Sequence, residues 1–131
     1  MGLIYLDSCL LIYIVERHPI FGERVMASMA KASDSQFAIS ALVKCECQVM
    51  PLRRDDRILG TLYRQTFTQF VSVEMPEPVY LRAAELRAEA GLKTPDALHL
   101  ACAQHHRCDA FWTNDGRMQK IAGTFARNVL A

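Results

Sequence analysis

Four acidic residues stand where a folded chain could bring their carboxylates together. Asp7 and Asp115 follow short apolar runs, Glu46 comes a few residues after a third run, and Asp96 follows a threonine–proline pair typical of a helix start. Four carboxylates in one place cannot all stay ionised without a cation, because like charges raise each other's pKa. Hard divalent ions with oxygen ligands relieve this repulsion. The pattern therefore predicts a site for Mg²⁺ or Mn²⁺.

Short apolar runs alternate with helical patterns along the chain, and this alternation must position the four acids. The patterns predict strands over 3–6, 36–39, 70–73, 110–112 and 126–130, and helices over 9–15, 21–32, 41–50, 55–67, 76–90, 95–105 and 117–121. Such an order predicts an α/β fold, a three-layer α/β/α sandwich with a mainly parallel sheet. Ligands of such sheets bind beyond the carboxyl ends of the strands, where Asp7 and Asp115 are expected to lie.

Helix ends and buried faces can also be predicted from local patterns. Ser8, Ser40 and Thr94 are expected to cap the helices that follow them, Pro51 to end the third helix and Gly91 to end the fifth. The apolar positions of the fourth and fifth helices are predicted to be Ile58, Leu59, Leu62 and Tyr63, and Val79, Leu81, Ala84, Leu86 and Ala88.

Composition fits one folded domain over residues 1–131. The chain is 51% hydrophobic and 22% charged, which excludes a disordered protein. Its net charge of +1 gives no overall attraction to nucleic acid, so any such contact must come from local basic residues. The apolar stretch 9–15 is too short to span a membrane, and no leader pattern is visible, so a cytoplasmic protein is expected.

The cysteines do not form a recognisable framework. There are five, an odd number, which favours reduced thiols. Cys45 and Cys47 flank Glu46, but no second Cys or His pair at zinc-site spacing accompanies them. Both are predicted to be buried or partly buried free thiols.

The motifs, taken in order, resemble those of the PIN domain and, within that family, the VapC-type toxin ribonucleases of bacterial toxin–antitoxin pairs. The residues concerned are Ile4-Tyr5-Leu6-Asp7-Ser8, then Ile39-Ser40 followed by Glu46, then 94–101, and finally Trp112-Thr113-Asn114-Asp115. The resemblance implies a single PIN-like nuclease domain, an endoribonuclease that depends on Mg²⁺ or Mn²⁺. The four acids would be its catalytic metal ligands. It also implies a homodimer silenced by a small cognate antitoxin.

Several neighbouring polar residues have two interpretations. Ser8, Ser40, Thr113 and Asn114 could orient the carboxylates by hydrogen bonding, or could simply cap helices and form turns; the same holds for Thr94. His99 is expected to be a packed or hydrogen-bonded histidine rather than a ligand or base. The basic residues Lys93, Arg117, Arg53, Arg54 and Arg57 could bind RNA phosphates or form a solvated surface.

Four further questions stay open at the level of sequence. The chain could be a catalytically silent PIN-like module that only binds RNA or protein, although all four acids are present. The apolar surplus in 9–15 and 21–29 predicts a surface for a partner, either the antitoxin or a second copy of the chain. The sequence does not select between Asp96 and Asp115 as the group that accepts a proton from water, and it does not name the RNA. Phosphatases of the haloacid-dehalogenase type are disfavoured, because residues 7–9 lack an Asp-x-Asp pair.

Overall fold

The computed structural model describes residues 2–130. Its strands are β1 (Leu3–Leu6), β2 (Gln36–Ser40), β3 (Val71–Val73), β4 (Ala110–Thr113) and β5 (Ala126–Asn128). Its α-helices are α1 (Ser8–Val15), α2 (Phe21–Lys31), α3 (Ala41–Arg53), α4 (Arg57–Phe67), α5 (Glu77–Ala90), α6 (Thr94–His105) and α7 (Arg117–Ala122). A short 3-10 turn over Gly123–Phe125 leads into β5.

The five strands form one sheet in the order β3-β2-β1-β4-β5, and every neighbouring pair is parallel. The chain builds outward from β1 to β3 and then crosses back to β4 and β5. Right-handed crossovers therefore place α1 to α4 on one face of the sheet and α5 to α7 on the other. The predicted three-layer α/β/α sandwich is confirmed, and the strand order reverses between β1 and β4.

The central strand β1 carries the middle of the core. Ile4, Tyr5 and Leu6 are almost fully buried, as expected for a parallel strand covered by helices on both faces. Tyr5 meets Phe111 of β4 edge to face, with ring centroids 5.6 Å apart. At the end of β1, the amide of Asp7 donates to the carbonyl of Trp112 at 3.0 Å, which fixes Asp7 between β1 and β4.

The predicted caps are partly wrong. Ser40 caps α3 as expected, since its Oγ accepts a hydrogen bond from the Val43 amide at 3.4 Å. Ser8 and Thr94, in contrast, are the first residues of their helices, and the N-cap positions belong to Asp7 and Lys93. The Ser8 hydroxyl donates to the Asp7 carboxylate, so it serves the neighbouring acid instead of the helix end.

Pro51 does not end α3, contrary to prediction. The helix continues through it to Arg53. Only two helical residues follow, so the missing N–H removes one hydrogen bond from the last turn, where the cost is smaller than in the middle of a helix. The proline is buried, and its Cβ lies beside Gly60 of α4. Gly91 does end α5, with a left-handed φ of 67°.

The predicted faces of α4 and α5 are correct at Tyr63, Val79 and Leu86 and wrong at other positions. In α4 the buried residues are Gly60, Tyr63 and Phe67, whereas Ile58 is 86% exposed and Leu62 44% exposed. Tyr63 sets this orientation, because its hydroxyl donates to Glu16 at 2.6 Å. The buried residues of α5 are Val79, Ala83 and Leu86, a strict one-face spacing; the predicted Leu81, Ala84 and Ala88 face outward.

All five cysteines are free thiols. Cys47 is buried as predicted, but Cys45 is exposed, because it points away from the fold on the outer side of α3. Within residues 2–130, every helix is too short or too polar to cross a membrane.

Candidate active site

Three side chains from three separate elements meet at the carboxyl edge of the sheet. Asp7 follows β1, Glu46 lies in the second turn of α3, and His99 lies in the second turn of α6. Each side chain offers one atom that could bind a metal ion, and these three atoms lie within 4.8 Å of one another. The meeting point adjoins the reversal of strand order between β1 and β4, which is where doubly wound sheets bind their ligands.

Two hydroxyl groups hold the Asp7 carboxylate. Thr113 Oγ1 donates to Asp7 Oδ2 at 2.9 Å, and Ser8 Oγ donates to Oδ1 at 3.4 Å. Thr113 is fully buried at the end of β4, and its oxygen also accepts the Asp115 amide at 3.2 Å. One threonine therefore fixes both the first acid and the start of the loop that carries the last acid.

Glu46 is held by His99. The Nε2 atom of His99 lies 2.5 Å from Glu46 Oε1, and the glutamate side chain is 30% exposed. Burial by itself raises the pKa of Glu46, but the hydrogen bond with His99 lowers it below its usual range. Glu46 is thus an ionised carboxylate at neutral pH.

Asp96 lies half-buried in the first turn of α6, within the electric field of two other acids. Burial raises its pKa most, and the negative charges of Asp7 and Asp115 raise it further. The positive charge of Arg117 offsets only part of this effect. The charge of Asp96 is therefore coupled to those of Asp7 and Asp115.

Asp115 is paired with Arg117. The Nε and Nη2 atoms of Arg117 donate to the carboxylate at 2.7–3.1 Å, a bidentate contact that lowers the pKa of Asp115. The Arg117 side chain is 74% exposed. It supplies a solvent-exposed positive charge beside Asp115.

The residues expected to assist the acids divide into two groups. Ser8 and Thr113 bond directly to Asp7, as their functional interpretation required. Ser40 bonds to Tyr5 rather than to an acid, and Asn114 is exposed and donates to the Tyr13 hydroxyl at 3.0 Å. The structure gives the positions of all four acids, whereas their catalytic and metal-binding roles remain predictions.

Tyr5 is the residue that sequence reasoning missed. Its buried hydroxyl lies 2.7 Å from His99 Nδ1 and 2.7 Å from Ser40 Oγ. A tyrosine in the centre of an otherwise aliphatic strand was the available signal, because a buried phenol needs a hydrogen-bond partner. His99 is buried and hydrogen-bonded, as predicted.

A basic groove opens beside Asp96. It has a volume of about 340 Å³ and is lined by Lys93, Arg117 and Lys120, among other residues. The arginine cluster at 53–57 is different: Arg57 faces Asp55 at 3.8 Å with both side chains almost fully exposed, which is typical of a solvated surface.

A second groove lies between α1, α2 and α4 and is mainly apolar. Its volume is about 530 Å³, and its apolar lining consists of Ile14, Val15, Pro19, Met26 and Leu62. Met26 is 57% exposed and Leu62 44% exposed. Met26 belongs to the segment 21–29, for which the sequence predicted a partner surface. Leu62 lines the same groove from α4.

Comparisons with known proteins agree with this architecture. A family model described as PIN domain matches residues 4–124. A toxin–antitoxin complex from Klebsiella pneumoniae is similar, with a TM-score of 0.79, 24% identity, and coverage of 96% of this chain and 97% of that chain. VapBC2 from Rickettsia felis, bound to a DNA fragment from its promoter, has a TM-score of 0.79, 17% identity and coverage of 95% and 97%. VapC20 from Mycobacterium tuberculosis, a toxin that cleaves the Sarcin-Ricin loop, has a TM-score of 0.75, 12% identity and coverage of 91% and 95%. No curated protein sequence matches the chain.

Proposed function

The chain belongs to the PIN domain family, and on that premise we propose that it is a metal-dependent endoribonuclease, the toxin of a toxin–antitoxin pair. The observation that carries the proposal is the meeting of Asp7 and Glu46, from separate elements, within 4.8 Å at the carboxyl edge of the sheet. The charge coupling of Asp96 to Asp7 and Asp115 supports it. The similar solved structures include toxin–antitoxin complexes and a toxin that cleaves the Sarcin-Ricin loop, which supports the biological role and the RNA substrate.

The donor set fits a hard divalent cation. Asp7, Glu46, Asp96 and Asp115 offer carboxylate oxygens, the ligands that Mg²⁺ and Mn²⁺ prefer. Burial raises the pKa of Asp96 most, and the negative charges of Asp7 and Asp115 raise it further; a cation would relieve that repulsion. When bound, such an ion neutralises the charge of a phosphodiester and activates water for in-line attack.

The protein groups would position the reaction and move one proton. Thr113 holds Asp7, and His99 holds Glu46, so neither carboxylate needs to reorganise. Asp96 is proposed as the acceptor for a proton from the attacking water, since it lines the basic groove that is proposed for RNA. Asp115 is less suited, since Arg117 engages both of its oxygens and lowers its pKa.

The RNA strand is proposed to leave the site along the basic groove. The overall charge of +1 provides little attraction, so binding must depend on local cations. Lys93, Arg117 and Lys120 line a groove that also contains Asp96. Phosphates on either side of the cleaved bond could contact these cations while the bond itself faces the acids.

The cognate antitoxin is proposed to place an apolar segment in the groove between α1, α2 and α4. This groove exposes Met26 and Leu62, which would be buried by a helix or an extended peptide. A homodimer would use another surface, and the exposed Tyr80 and Leu81 of α5 offer one. A cytoplasmic location is proposed as well, supported by five free thiols.

The direct test is RNA cleavage by the purified protein, without antitoxin, in the presence of Mn²⁺ or EDTA. The unaltered protein should cleave with Mn²⁺ and stop in EDTA. Asp7→Asn should lose at least about 100-fold in rate while staying folded, because the amide oxygen can still accept a hydrogen bond from Thr113 or Ser8. Asp34→Asn, at an exposed turn position, is the matched control and should cleave normally.

Undiminished cleavage by a folded Asp7→Asn protein would rule out Asp7 as an essential ligand. RNA binding without any cleavage by the unaltered protein would favour the silent binding module instead.

A further inference from the structure

A buried chain of hydrogen bonds leads from the start of α3 to Glu46. The Val43 amide donates to Ser40 Oγ at 3.4 Å, Ser40 Oγ lies 2.7 Å from Tyr5 Oη, and Tyr5 Oη lies 2.7 Å from His99 Nδ1. The other ring nitrogen of His99, Nε2, lies 2.5 Å from Glu46 Oε1. Ser40, Tyr5 and His99 are each at most 1% exposed, so the chain is shielded from solvent.

The direction of this chain follows from counting donors and acceptors. Ser40 Oγ already accepts from the Val43 amide, and among the described residues Tyr5 Oη is the partner recorded for its own hydrogen. Ser40 therefore donates to Tyr5, and Tyr5 donates to His99 Nδ1. An imidazole that accepts at Nδ1 carries its hydrogen on Nε2. That hydrogen points at Glu46.

The opposite direction is unfavourable at both ends. If His99 donated through Nδ1 to Tyr5, Tyr5 would donate to Ser40, and the buried Ser40 hydrogen would lose its acceptor. In the neutral Nδ1–H tautomer, Nε2 would also face the Glu46 oxygen with no hydrogen between them, which brings two lone pairs into contact. A ring that carries hydrogen on both nitrogens avoids that contact but still leaves the Ser40 hydrogen without its acceptor. Asp7 offers no alternative partner, since its Oδ1 lies 3.9 Å from Nε2, beyond hydrogen-bond distance.

We propose that Tyr5 and His99 are positioning residues for the metal site, and that His99 serves Glu46 as a hydrogen-bond donor and is not itself a ligand. The three atoms that lie within 4.8 Å of one another would admit an Asp–Glu–His metal site. The hydrogen placed on Nε2 by Tyr5 excludes that arrangement and leaves an all-carboxylate site. The assignment rests on the proposed function as far as metal binding is concerned, but the placement of the hydrogen does not.

The hydrogen can be located by NMR on protein with ¹⁵N-labelled histidine. Long-range ¹H–¹⁵N correlations distinguish a ring nitrogen that carries hydrogen from one that does not, and His99→Gln identifies the signals. Hydrogen on Nε2 alone, unchanged by saturating Mg²⁺, is the expected result. A hydrogen on Nδ1, or loss of the Nε2 hydrogen when Mg²⁺ is added, would overturn the assignment.

Metal affinity tests the positioning role separately. Tyr5→Phe should weaken Mn²⁺ binding about 10-fold in a calorimetric titration, because Nδ1 loses its donor and Glu46 its fixed partner. Tyr63→Phe is the matched control: it also removes a buried hydroxyl, but one bonded to Glu16. Its affinity should equal that of the unaltered protein. His99→Gln, whose amide can still donate toward Glu46, should bind Mn²⁺ more tightly than His99→Leu.

Equal affinities for Tyr5→Phe and the unaltered protein, or for the two His99 variants, would refute the positioning role. If the unaltered protein bound no Mn²⁺, the proposed metal site would fail, and the NMR result alone would decide where the hydrogen lies.

Discussion

Thr113→Val isolates the contribution of one hydroxyl to the candidate site. Valine has nearly the shape of threonine, so the buried end of β4 keeps its packing, while two hydrogen bonds disappear. One is the donation to Asp7 Oδ2 at 2.9 Å, and the other is the acceptance of the Asp115 amide at 3.2 Å. The variant therefore removes one hydrogen bond to the Asp7 carboxylate and one to the Asp115 amide, and it changes no charge.

The magnitude follows from the type and burial of these bonds. A hydrogen bond to an ionised group stabilises a protein by roughly 1.5–3 kcal/mol, and Thr113 is fully buried. Water can replace part of the lost bond, since the Asp7 side chain is 15% exposed, so a loss of about 2 kcal/mol in the free energy of unfolding is expected. Because the carboxylate of Asp7 is no longer oriented, Mn²⁺ affinity should fall about 10-fold or more.

Urea denaturation and calorimetric Mn²⁺ titration measure the two quantities on the same samples. Thr66→Val provides the control: it deletes a hydroxyl that donates to the Leu62 carbonyl within α4, away from the acids. It should change stability by less than about 0.5 kcal/mol and leave Mn²⁺ affinity unaltered. A Thr113→Val protein with the metal affinity of the control would refute the claim that Thr113 orients Asp7.

Three other expectations follow from the same geometry. Because the pKa of Asp96 is raised above its unfolded value, its ionised form destabilises the metal-free protein at neutral pH; Asp96→Asn should therefore raise the free energy of unfolding at pH 7, and this gain should vanish at about pH 3. Lys93→Ala and Lys120→Ala should each lower the slope of log Kd for RNA against log salt by about 0.7–1, measured by fluorescence anisotropy with cleavage-inactive protein. An unchanged slope would show that RNA does not bind in the basic groove. Leu62→Asp should weaken the antitoxin complex about 10-fold or more while RNA cleavage by the free protein persists, and co-purification at normal yield would argue for a different antitoxin surface.

Much of the fold could be predicted because local signals agreed with the tertiary structure. Asp7 was correctly placed after β1 because an apolar run precedes it. Asp96 was correctly placed in the first turn of α6 because it follows the Thr94-Pro95 pair. Local signals failed where tertiary packing decided the outcome. Pro51 stays within α3 near its end, and Ile58 lies outward because Tyr63 and its partner Glu16 set the rotation of α4.

The positions of the four candidate acids could be predicted from local patterns, and their roles stay predictions; the contacts that join Tyr5, His99 and Glu46 could not be predicted. Carboxylates at strand ends and helix starts can be recognised one at a time, since each depends on a few neighbouring residues. The connection from Tyr5 through His99 to Glu46 joins a strand and two helices that are distant in sequence. A short sequence pattern does not encode the distance between residues so far apart in the chain. These hydrogen bonds can therefore be seen only in the folded structure.

The central claim is that one cation binds the four carboxylates, and crystals grown with Mn²⁺ test it most directly. Anomalous scattering locates the ion without reference to activity. The expected result is a peak at the carboxyl edge of β1, with oxygen atoms of Asp7 and Glu46 at about 2.1–2.2 Å and Asp96 and Asp115 bound directly or through water. A peak ligated by His99 nitrogen, or an ion bound only away from these acids, would contradict the account.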